Sequence, residues 1–583
     1  MKILFVNPMI AMNGWGSYKK RDRQCNSLHH GILLLATILN KSGHEAKIID
    51  LRTLSGWEDY QEKLHEFSPD IVGATSMSVD FGYALESLKI AKNSLDAVTI
   101  IGGIHATIAP QDAACKGYVD MVVTNEAERD IVNIVEGKIK PDNGKILKGR
   151  HVESLDELPY IDRSLVPYEE GEMINPYWKG KIPYITLVTG RGCIGKCDFC
   201  APQPMLIAEK CRQRSPANVI GEMGEIIKKW GAGYWDFVDD LFTVNKKWVY
   251  DFCDAYKNTG MNIPFVVASR ADIISKRPEM FERLRKAGCD AVSVGFELGY
   301  NRGLKQIQKG TTVEMNLKAA EILRENGFFI VGNFMFGIPN ETPDEARRTV
   351  EMINRIKPDV LSWSWYTIHP GTYAFEKYKG FNLLPYDFSR MHRSGTEPKI
   401  KGIDYELIKE IMKEIDLPAP DIKELLKNDL SRIDIKKPDR ILLFRTNRMP
   451  AINMIIEAFK KSYPKCQIDI FAQPDVKDEL KRNKGIKEVF INQEKYFTLH
   501  DVTRTVVRRL RNMNYDLVVI PYNNNSLEGY QDVEMLASAV CRKEIIGILP
   551  SGEIVQRREE DILKDYTQNL KNTKNKEYFR NSA

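Results

Sequence analysis

Short apolar runs alternate with helical patterns through the first part of the chain. The clearest helical pattern is LHHGILLLATILNKSGH, and the apolar runs are KILFV, EAKIIDL, DIVGATS, VTIIGG and DMVVT. This alternation predicts βαβ units and a parallel sheet over residues 1–140. Small or polar residues stand at the strand ends, namely Asn7, Ser76, Gly102 and Asn125. Because such sheets bind ligands outside the carboxyl ends of their strands, we expect a ligand beside these positions.

The alternation resumes over residues 181–400 with a repeat of about thirty residues. Six apolar runs mark it: YITLVTG, YWDFVDDLF, IPFVVASRAD, AVSVGFELG, FFIVGNFMFGIP and VLSWSWYTIHPG. Six βα units predict a partial TIM-type (β/α)6 barrel, so the fold class is α/β. Thr342 followed by Pro343 and Glu345 predicts a helix that begins with a capping box.

Three further segments complete the predicted organisation. Residues 141–180 are rich in charge, Pro and Gly and indicate a linker, and residues 401–436 indicate a charged helical connector. Residues 437–555 contain RILLFRT, QIDIFAQP, KEVFIN, YDLVVIPY and EIIGILP, which predict a C-terminal Rossmann-like α/β unit. Residues 556–583 form a highly charged tail.

Composition narrows the classes of function. A chain of 583 residues is too long for one core and indicates several domains. With 84 basic and 79 acidic residues the net charge is +5, so no specific nucleic-acid partner is expected. No apolar stretch reaches about eighteen residues and no secretory signal begins the chain, so no transmembrane segment is expected. The ten cysteines follow no disulfide framework, which favours a reducing, cytoplasmic location.

The chemistry concentrates in VTGRGCIGKCDFC, directly after the first barrel strand. Cys193, Cys197 and Cys200 stand at the spacing C-x3-C-x2-C. Three thiols on one Gly-rich loop can hold a cube of iron and sulfide and leave one iron without a protein ligand. The alternative is a structural zinc site, which needs four ligands. Cys211 could supply the fourth only if the intervening segment folded back.

These residues resemble the radical SAM enzymes, whose motif has an aromatic residue before the last cysteine, here Phe199. The resemblance implies a [4Fe-4S] cluster on the three cysteines, S-adenosylmethionine (SAM) bound to the open iron, and a flavodoxin- or ferredoxin-type electron donor. The SAM-contacting positions that it implies are Phe199, Asp239, Asp240, Ser269, Arg270 and Glu297. The alternatives are helix capping for the two aspartates, barrel carbonyls for Arg270 and a buried structural role for Glu297.

The N-terminal segment resembles the Rossmann-like (flavodoxin-like) cobalamin-binding domain of one radical SAM subfamily, through LHHGILL, PDIVGATSMS, GGIHAT and VVTNEAE. The cobalamin-binding positions implied are Asn7, Ser76, Met77, Ser78, Gly102, Gly103, His105, Thr107, Asn125 and Glu126. The signature D-x-H-x-x-G, which would place a histidine on cobalt, does not occur. His105 therefore has two interpretations, a cobalt ligand or a hydrogen-bonded loop residue.

Together these features predict a cobalamin-dependent radical SAM C-methyltransferase. One SAM would methylate cobalt, a second would give the 5′-deoxyadenosyl radical, and methylcobalamin would donate to an unactivated carbon of a small-molecule or lipid substrate. Alternatives are cyclisation, rearrangement or C–C coupling, an N-terminal domain without cofactor, or a cobalamin- or redox-responsive binding protein. A methylthiotransferase is not favoured, because no second three-cysteine set is present. The C-terminal unit weakly resembles half of a heptosyltransferase and predicts a substrate-presenting, docking or structural module.

Overall fold

The computed structural model describes residues 1–15, 28–142, 144–166, 183–200, 211–378, 400, 402–416, 438–446, 449–492, 504–522, 530–541, 543–548 and 554–563. The chain forms two compact units, Met1–Leu417 and Pro418–Ala583. The two predicted N-terminal domains therefore lie within a single unit. Parts of the predicted linker, connector and charged tail lie outside the described residues.

The first sheet contains six parallel strands in the order β2-β1-β3-β4-β5-β6. They are β1 (Lys2–Asn7), β2 (Glu45–Asp50), β3 (Ile71–Thr75), β4 (Val98–Gly102), β5 (Met121–Thr124) and β6 (Lys145–Lys148). The order begins as in flavodoxin, which confirms the predicted fold. Strand β6 was missed, because its residues KILK carry little apolar character within the presumed linker.

Both faces of this sheet are buried, which explains its uninterrupted apolar strands. Leu4 and Val6 pack into one hydrophobic cluster and Ile3 and Phe5 into another, as the two-residue period of a strand requires. The covering helices are α1 (Ile10–Asn13), α2 (His30–Lys41), α3 (Trp57–Phe67), α4 (Phe81–Leu95), α5 (Ile104–Ile108), α6 (Gln111–Ala114) and α7 (Ile131–Val135). Short 3₁₀ turns at Leu155–Glu157 and Arg163–Leu165 follow β6.

The second sheet is the predicted partial barrel, with six parallel strands in the order β14-β13-β12-β11-β10-β7. They are β7 (Tyr184–Leu187), β10 (Tyr234–Phe237), β11 (Phe265–Arg270), β12 (Cys289–Glu297), β13 (Phe329–Phe336) and β14 (Val360–Trp365). Strands β8 (Gly190–Arg191) and β9 (Arg212–Gln213) form a separate antiparallel pair.

The barrel helices are α8 (Pro216–Trp230), α9 (Lys246–Asn258), α10 (Ala271–Lys276), α11 (Pro278–Lys286), α12 (Asn301–Gln306), α13 (Val313–Glu325), α14 (Pro343–Ile356), α15 (Tyr373–Tyr378) and α16 (Tyr405–Met412). The predicted capping box is present, because Thr342 accepts from the backbone of Glu345 while the Glu345 carboxylate bonds back to the backbone of Thr342. A large cluster of buried apolar side chains joins these helices to the sheet.

The second unit is a separate Rossmann-like sheet in the order β17-β16-β15-β18-β19-β20, parallel except for its last strand. Its strands are β15 (Arg440–Phe444), β16 (Gln467–Ala472), β17 (Glu488–Ile491), β18 (Leu517–Pro521), β19 (Glu544–Ile548) and β20 (Ile554–Gln556). Its helices are α17 (Met449–Ser462), α18 (Lys477–Arg482), α19 (Arg504–Arg511) and α20 (Gln531–Val540). Among the helices in the described residues, none is long and apolar enough to cross a membrane.

Candidate active site

The cysteine motif lies on a loop that begins just beyond the first barrel strand. Strands β8 and β9 pair Gly190 with Gln213 and Arg191 with Arg212, so the two ends of this loop are held side by side. Cys197 is buried, Cys193 and Cys200 are half-buried, and all three are free thiols. The three predicted ligands therefore lie close together in sequence on one loop whose base is fixed by backbone pairing.

Two acidic residues at the end of β10 anchor the start of this loop. The buried Asp239 carboxylate accepts hydrogen bonds from the backbone of Thr189 at 2.7 Å and of Gly190 at 3.1 Å, and from the Thr189 hydroxyl. Burial raises the pKa of Asp239 to about 6. Asp240 accepts from the backbone N–H of Gly192 at 3.2 Å. The pair thus positions the cysteine loop, and its predicted contact with SAM stays a prediction.

Two buried basic residues, Arg270 and Lys309, lie close to the cysteine loop. Nη1 of Arg270 lies 3.7 Å from Sγ of Cys197, while its Nη2 donates to the carbonyl of Lys309. Nζ of Lys309 lies 2.7 Å from Oε1 of Glu297, at the end of β12. Burial alone would lower the pKa of Lys309, but the Glu297 carboxylate raises it. Nε of Arg270 lies 2.9 Å from Asp272, so each cation has a carboxylate partner, and Arg270 also places a guanidinium nitrogen beside the sulfur of Cys197.

The loop backbone approaches these cations closely. At Gly195 an added Cβ would lie 2.6 Å from Nη1 of Arg270 and 3.4 Å from Sγ of Cys193, so a larger residue there would displace the guanidinium. Three thiols on one loop beside two cations suit the donor set of an iron–sulfur cluster. Among the described side chains, no group of three or more His, Cys, Asp or Glu residues could hold a single metal ion.

The remaining predicted SAM positions already have partners in the structure. The Phe199 ring packs edge-on against Tyr366, with centroids 6.1 Å apart. The Ser269 hydroxyl shares a hydrogen bond of 2.7 Å with Thr243. Glu297 has a positive φ of 65°, a left-handed conformation that is uncommon outside glycine, and it aims the carboxylate at Lys309. Lys309 was missed from the sequence, because no periodic pattern marks it.

A cavity of about 450 Å³ opens between the carboxyl edge of the first sheet and the base of the cysteine loop. It is lined by Gly102, Gly103, Asn125 and Glu126 of the predicted cobalamin positions, and by Arg191, Gly192 and Asp240 of the barrel domain. Apolar side chains contribute much of its wall, among them Phe5, Ile32, Leu35, Ile100, Val123 and Ile131. Its volume is typical of a cofactor site, and it combines an apolar wall with a polar rim.

Gly102 and Gly103, at the end of β4, form part of the cavity wall. Gly103 has a φ of 94°, and an added Cβ would lie 2.6 Å from the backbone nitrogen of Ser76. Gly103 is therefore required by its close packing against the loop after β3, and both glycines line the cavity without a side chain. This geometry, together with the mixed lining, fits cobalamin.

Six of the predicted cobalamin positions do not line the cavity: Asn7, Ser76, Met77, Ser78, His105 and Thr107. The Asn7 amide donates to Asp50 at 3.0 Å, and the Ser76 hydroxyl donates to the Gly102 carbonyl at 2.9 Å. Thr107 donates to the Gly103 carbonyl and accepts from the backbone of Asn125. Ser76 and Thr107 therefore stabilise the backbone of the strand-end loops, and Asn7 bonds to a side chain at the end of β2.

His105 is a fully buried core residue. Its Nδ1 lies 3.0 Å from the Ser78 hydroxyl, its Nε2 lies 3.3 Å from Asp112, and its ring packs at a tilt against Phe81, with centroids 4.1 Å apart. This arrangement favours the hydrogen-bonded interpretation over cobalt ligation, with the side chains of Ser78 and Asp112 as partners. Burial lowers the pKa of His105 to about 4, with Asp112 opposing that shift.

The stability of the first unit is expected to fall as the pH drops from about 6.5 towards 4, partly through His105. In this range the His105 imidazole is protonated in the unfolded chain, but it stays neutral while it is buried in the folded protein. Lowering the pH therefore favours unfolding. Urea midpoints measured at several pH values should fall less steeply for His105→Gln than for the unaltered chain. Identical pH profiles would contradict this assignment.

An ion-pair network connects the cavity to the cysteine loop. Oε1 of Glu126 lies 2.9 Å from Nη1 of Arg191 and 2.6 Å from Nη2 of Arg212, the residues paired across β8 and β9. Glu128 adds a contact of 2.7 Å to Arg191. Burial would raise the pKa of Glu126, but its hydrogen bonds to Arg212 and its attraction to Arg191 lower it to about 2. We name Glu126, Glu128, Arg191 and Arg212 the loop clamp.

The loop clamp was not predicted from sequence, where Glu126 was assigned to cobalamin alone. Its partners come from β5 and from the hairpin around the cysteine motif, some sixty to ninety positions apart. The only feature of the sequence that points to the loop clamp is Arg191, two residues before Cys193. A single carboxylate therefore borders the cavity and also holds both ends of the cysteine loop.

Comparison with known proteins agrees with this two-part site. Residues 28–135 match the B12 binding domain, and residues 187–353 match the Radical SAM superfamily. The chain thus joins a B12 binding domain to a radical SAM domain, the composition of a cobalamin-dependent radical SAM enzyme. Its cofactors are a [4Fe-4S] cluster, SAM and cobalamin.

Individual relatives are similar over much of the chain. An uncharacterized methyltransferase of Pyrococcus horikoshii is 28% identical over 405 residues, covering 66% of this chain and 84% of that protein. An anaerobic magnesium-protoporphyrin IX monomethyl ester cyclase of Rubrivivax gelatinosus is 27% identical over 411 residues, covering 67% and 72%. The solved cobalamin-dependent SAM radical enzyme OxsB, with aqua-cobalamin and SAM bound, superposes with a TM-score of 0.56 at 17% identity, over 79% of this chain and 72% of that one. This last likeness is one of fold.

Proposed function

We propose that this enzyme transfers a methyl group from SAM to an unactivated carbon of a small-molecule or lipid substrate. The observation that carries the proposal is the shared cavity, in which Gly102 and Gly103 of the B12 binding domain face Arg191 and Gly192 at the base of the cysteine loop. A methyl carrier and a radical generator must reach the same substrate carbon. One cavity bordered by both domains supports that arrangement.

The chain's own residues have three tasks in this proposal. Cys193, Cys197 and Cys200 hold the cluster, and Arg270 and Lys309 offset the negative charge of the thiolates. The loop clamp keeps the cysteine loop at a constant distance from the cavity. When bound, the cluster supplies the electron that splits SAM, and cobalamin supplies the carrier that takes and gives the methyl group.

Proposed contacts with SAM follow from the same geometry. Asp240 borders the cavity and is proposed to pair with the methionyl ammonium, because its neighbour Asp239 is already engaged in anchoring the loop. Ser269 and Glu297 are proposed to lie near the ribose, and Phe199 to shield the cluster. Arg270 is proposed to offer its charge to the methionyl carboxylate from beside Cys197.

The test is the fate of SAM in the reconstituted, reduced enzyme. Methyl transfer consumes two SAM per product: one becomes S-adenosylhomocysteine, and the other gives methionine and 5′-deoxyadenosine after hydrogen abstraction. We expect both nucleosides in similar amounts once the substrate is supplied, and a methyl label in the product. The protein without cobalamin should form no S-adenosylhomocysteine.

A second candidate is cyclisation or a related rearrangement, which the similarity to the Rubrivivax gelatinosus cyclase favours. The same experiment separates the two. Formation of 5′-deoxyadenosine without S-adenosylhomocysteine, and a product that carries no methyl label, would overturn methyl transfer in favour of this candidate. Absence of cobalamin from the reconstituted protein after gel filtration would instead support an N-terminal domain that serves only as a scaffold.

A further inference from the structure

The turn that follows the last barrel strand, residues 369–374, packs against the B12 binding domain. Its Gly371 lies against the end of α5, the helix that begins directly after Gly103. A Cβ added at Gly371 would lie 2.6 Å from Cβ of Ile108 and 2.7 Å from the Ile108 carbonyl oxygen. Because that oxygen belongs to the backbone, a side chain could be admitted only if the turn or α5 moved.

The same turn is hydrogen-bonded to the cysteine loop. The backbone N–H of Ala374 donates to the carbonyl of Asp198 at 2.8 Å. Asp198 is fully buried and directly follows Cys197 in the motif. The Tyr366 hydroxyl, just beyond β14, donates to the Asp198 carboxylate at 3.0 Å. Ala374 comes three positions after Gly371, so this short turn bridges α5 and the loop that carries the cysteines.

Hydrogen bonds within the turn brace it. The Thr372 hydroxyl donates to the carbonyl of His369 at 2.6 Å and accepts the backbone N–H of Phe375 at 3.2 Å. The side chains of Thr372 and Ala374 are completely buried. Closely packed interiors transmit a displacement rather than absorb it, so a movement at Gly371 should reach the cysteine loop.

The cysteine loop therefore has two separate connections to the B12 binding domain. The loop clamp joins Arg191, before the first cysteine, to Glu126, just after β5. The turn joins Asp198, after the second cysteine, to α5, just after β4. The first residue of α5, Ile104, lines the cavity. Connections on both sides of Cys193 and Cys197 fix the distance and the tilt of the loop, whereas one connection would leave it free to pivot.

We propose that residues 369–374 are a spacer turn that sets the distance between the cluster and the cobalamin cavity, with Gly371 as its positioning residue. The inference rests on the proposed function in that both cofactors must act on one substrate carbon. Lengthening the spacer would leave each cofactor site in place but slow the transfer between them. A misplacement of about 1 Å caused by a remote change can cost about 100-fold in rate.

The test needs no substrate. The full chain carrying Gly371→Ala is reconstituted with iron, sulfide and cobalamin and poised at a potential where Co(II) and the reduced cluster coexist. In electron paramagnetic resonance the nearby cluster speeds the relaxation of Co(II), and this effect falls steeply with distance. We expect the Co(II) signal of Gly371→Ala to saturate at lower microwave power than that of the unaltered chain. With SAM added, S-adenosylhomocysteine formed per 5′-deoxyadenosine should fall by up to about 100-fold.

Gly260→Ala is the matched control. Gly260 belongs to the barrel domain and has a φ of 66°, close to the 70° of Gly371, but an added Cβ there would meet nothing within 4 Å. It carries the same left-handed backbone without the contact, so its Co(II) signal should saturate as in the unaltered chain. Unchanged saturation in Gly371→Ala, or an equal change in both variants, would overturn the spacer turn.

Thr372→Val provides a second variant if Gly371→Ala does not fold. It removes the hydrogen bonds inside the turn and keeps the shape of the side chain, so the Co(II) signal should again saturate at lower power, and an unchanged signal would count against the proposal. Failure of methyl transfer itself gives a different result. The unaltered chain would then show the magnetic interaction and its loss in Gly371→Ala, but would form no S-adenosylhomocysteine, which supports the spacer turn and contradicts the proposed function.

Discussion

Cys197→Ser is expected to abolish formation of 5′-deoxyadenosine from SAM. Cys197 is the most buried of the three motif cysteines, and Nη1 of Arg270 lies 3.7 Å from its sulfur. Serine keeps its proton at neutral pH and does not replace a thiolate ligand, so only two protein ligands would hold the cube. Arg270 would keep its ion pair with Asp272 at 2.9 Å. Changes to groups that merely support a metal ligand cost about 10- to 100-fold, and loss of a ligand should exceed that range.

Iron and sulfide content after anaerobic reconstitution, together with 5′-deoxyadenosine formed under dithionite, measures this effect. Cys211→Ser is the control, because Cys211 is half-buried, as Cys193 and Cys200 are, and lies next to β9 at the far end of the same loop. It should keep its cluster and its SAM cleavage. A Cys197→Ser protein with a full iron complement and unaltered SAM cleavage would contradict the cluster assignment. Loss of the cluster in Cys211→Ser would instead point to a fourth protein ligand.

Glu126→Gln is expected to lower the free energy of unfolding of the first unit by about 3 kcal/mol, because removing one charge from a buried ion-pair network leaves its partners uncompensated. Glu126 contacts two arginines, and its side chain is only 10% exposed. Glutamine has nearly the same shape, so the change tests the charge rather than the packing. The base of the cysteine loop should loosen, since Arg191 and Arg212 are paired across β8 and β9.

Urea unfolding of the full chain, followed by a probe of the first unit, measures the loss. Glu128→Gln is the matched control: among the described residues the ion pair of Glu128 is with Arg191 alone, and Arg191 would keep its pair with Glu126. Its effect should be clearly smaller. Equal losses in the two variants, or no loss in Glu126→Gln, would show that the loop clamp does not hold the loop. The Glu126→Gln protein should also lose cobalamin and SAM cleavage together, because one carboxylate serves both sides of the cavity.

Much of the fold was predictable because its signals are local. Each buried parallel strand is a short apolar run, and each helix has its own period and caps, as at Thr342. The strands of the cobalamin-binding and barrel sheets were accordingly found, with the exceptions of β6, β8 and β9. Those three are short or polar, and they exist only because a neighbouring strand supplies their hydrogen bonds.

Part of the site was also predictable, because some of its residues lie close together along the chain. Three cysteines within eight residues must share one loop, and the adjacent glycines Gly102 and Gly103 must open a strand end wherever that strand lies. Side-chain direction was not predictable. Ser76 and His105 stand in the expected loops, yet they do not line the cavity, whereas His29 and His30 do. The resemblance of the C-terminal unit to a heptosyltransferase stays a prediction.

The sequence by itself determined the fold class, the three-cysteine motif proposed to hold the cluster and the presence of a B12 binding domain, since each depends on residues close together along the chain. Only the tertiary structure decided which residues connect the two cofactor sites. Arg191 pairs with Glu126, and His30 with Thr186, across separations of more than sixty residues. Such pairs leave no periodic trace in the sequence, because they form only after both domains have folded and their charged and polar groups have been buried against each other.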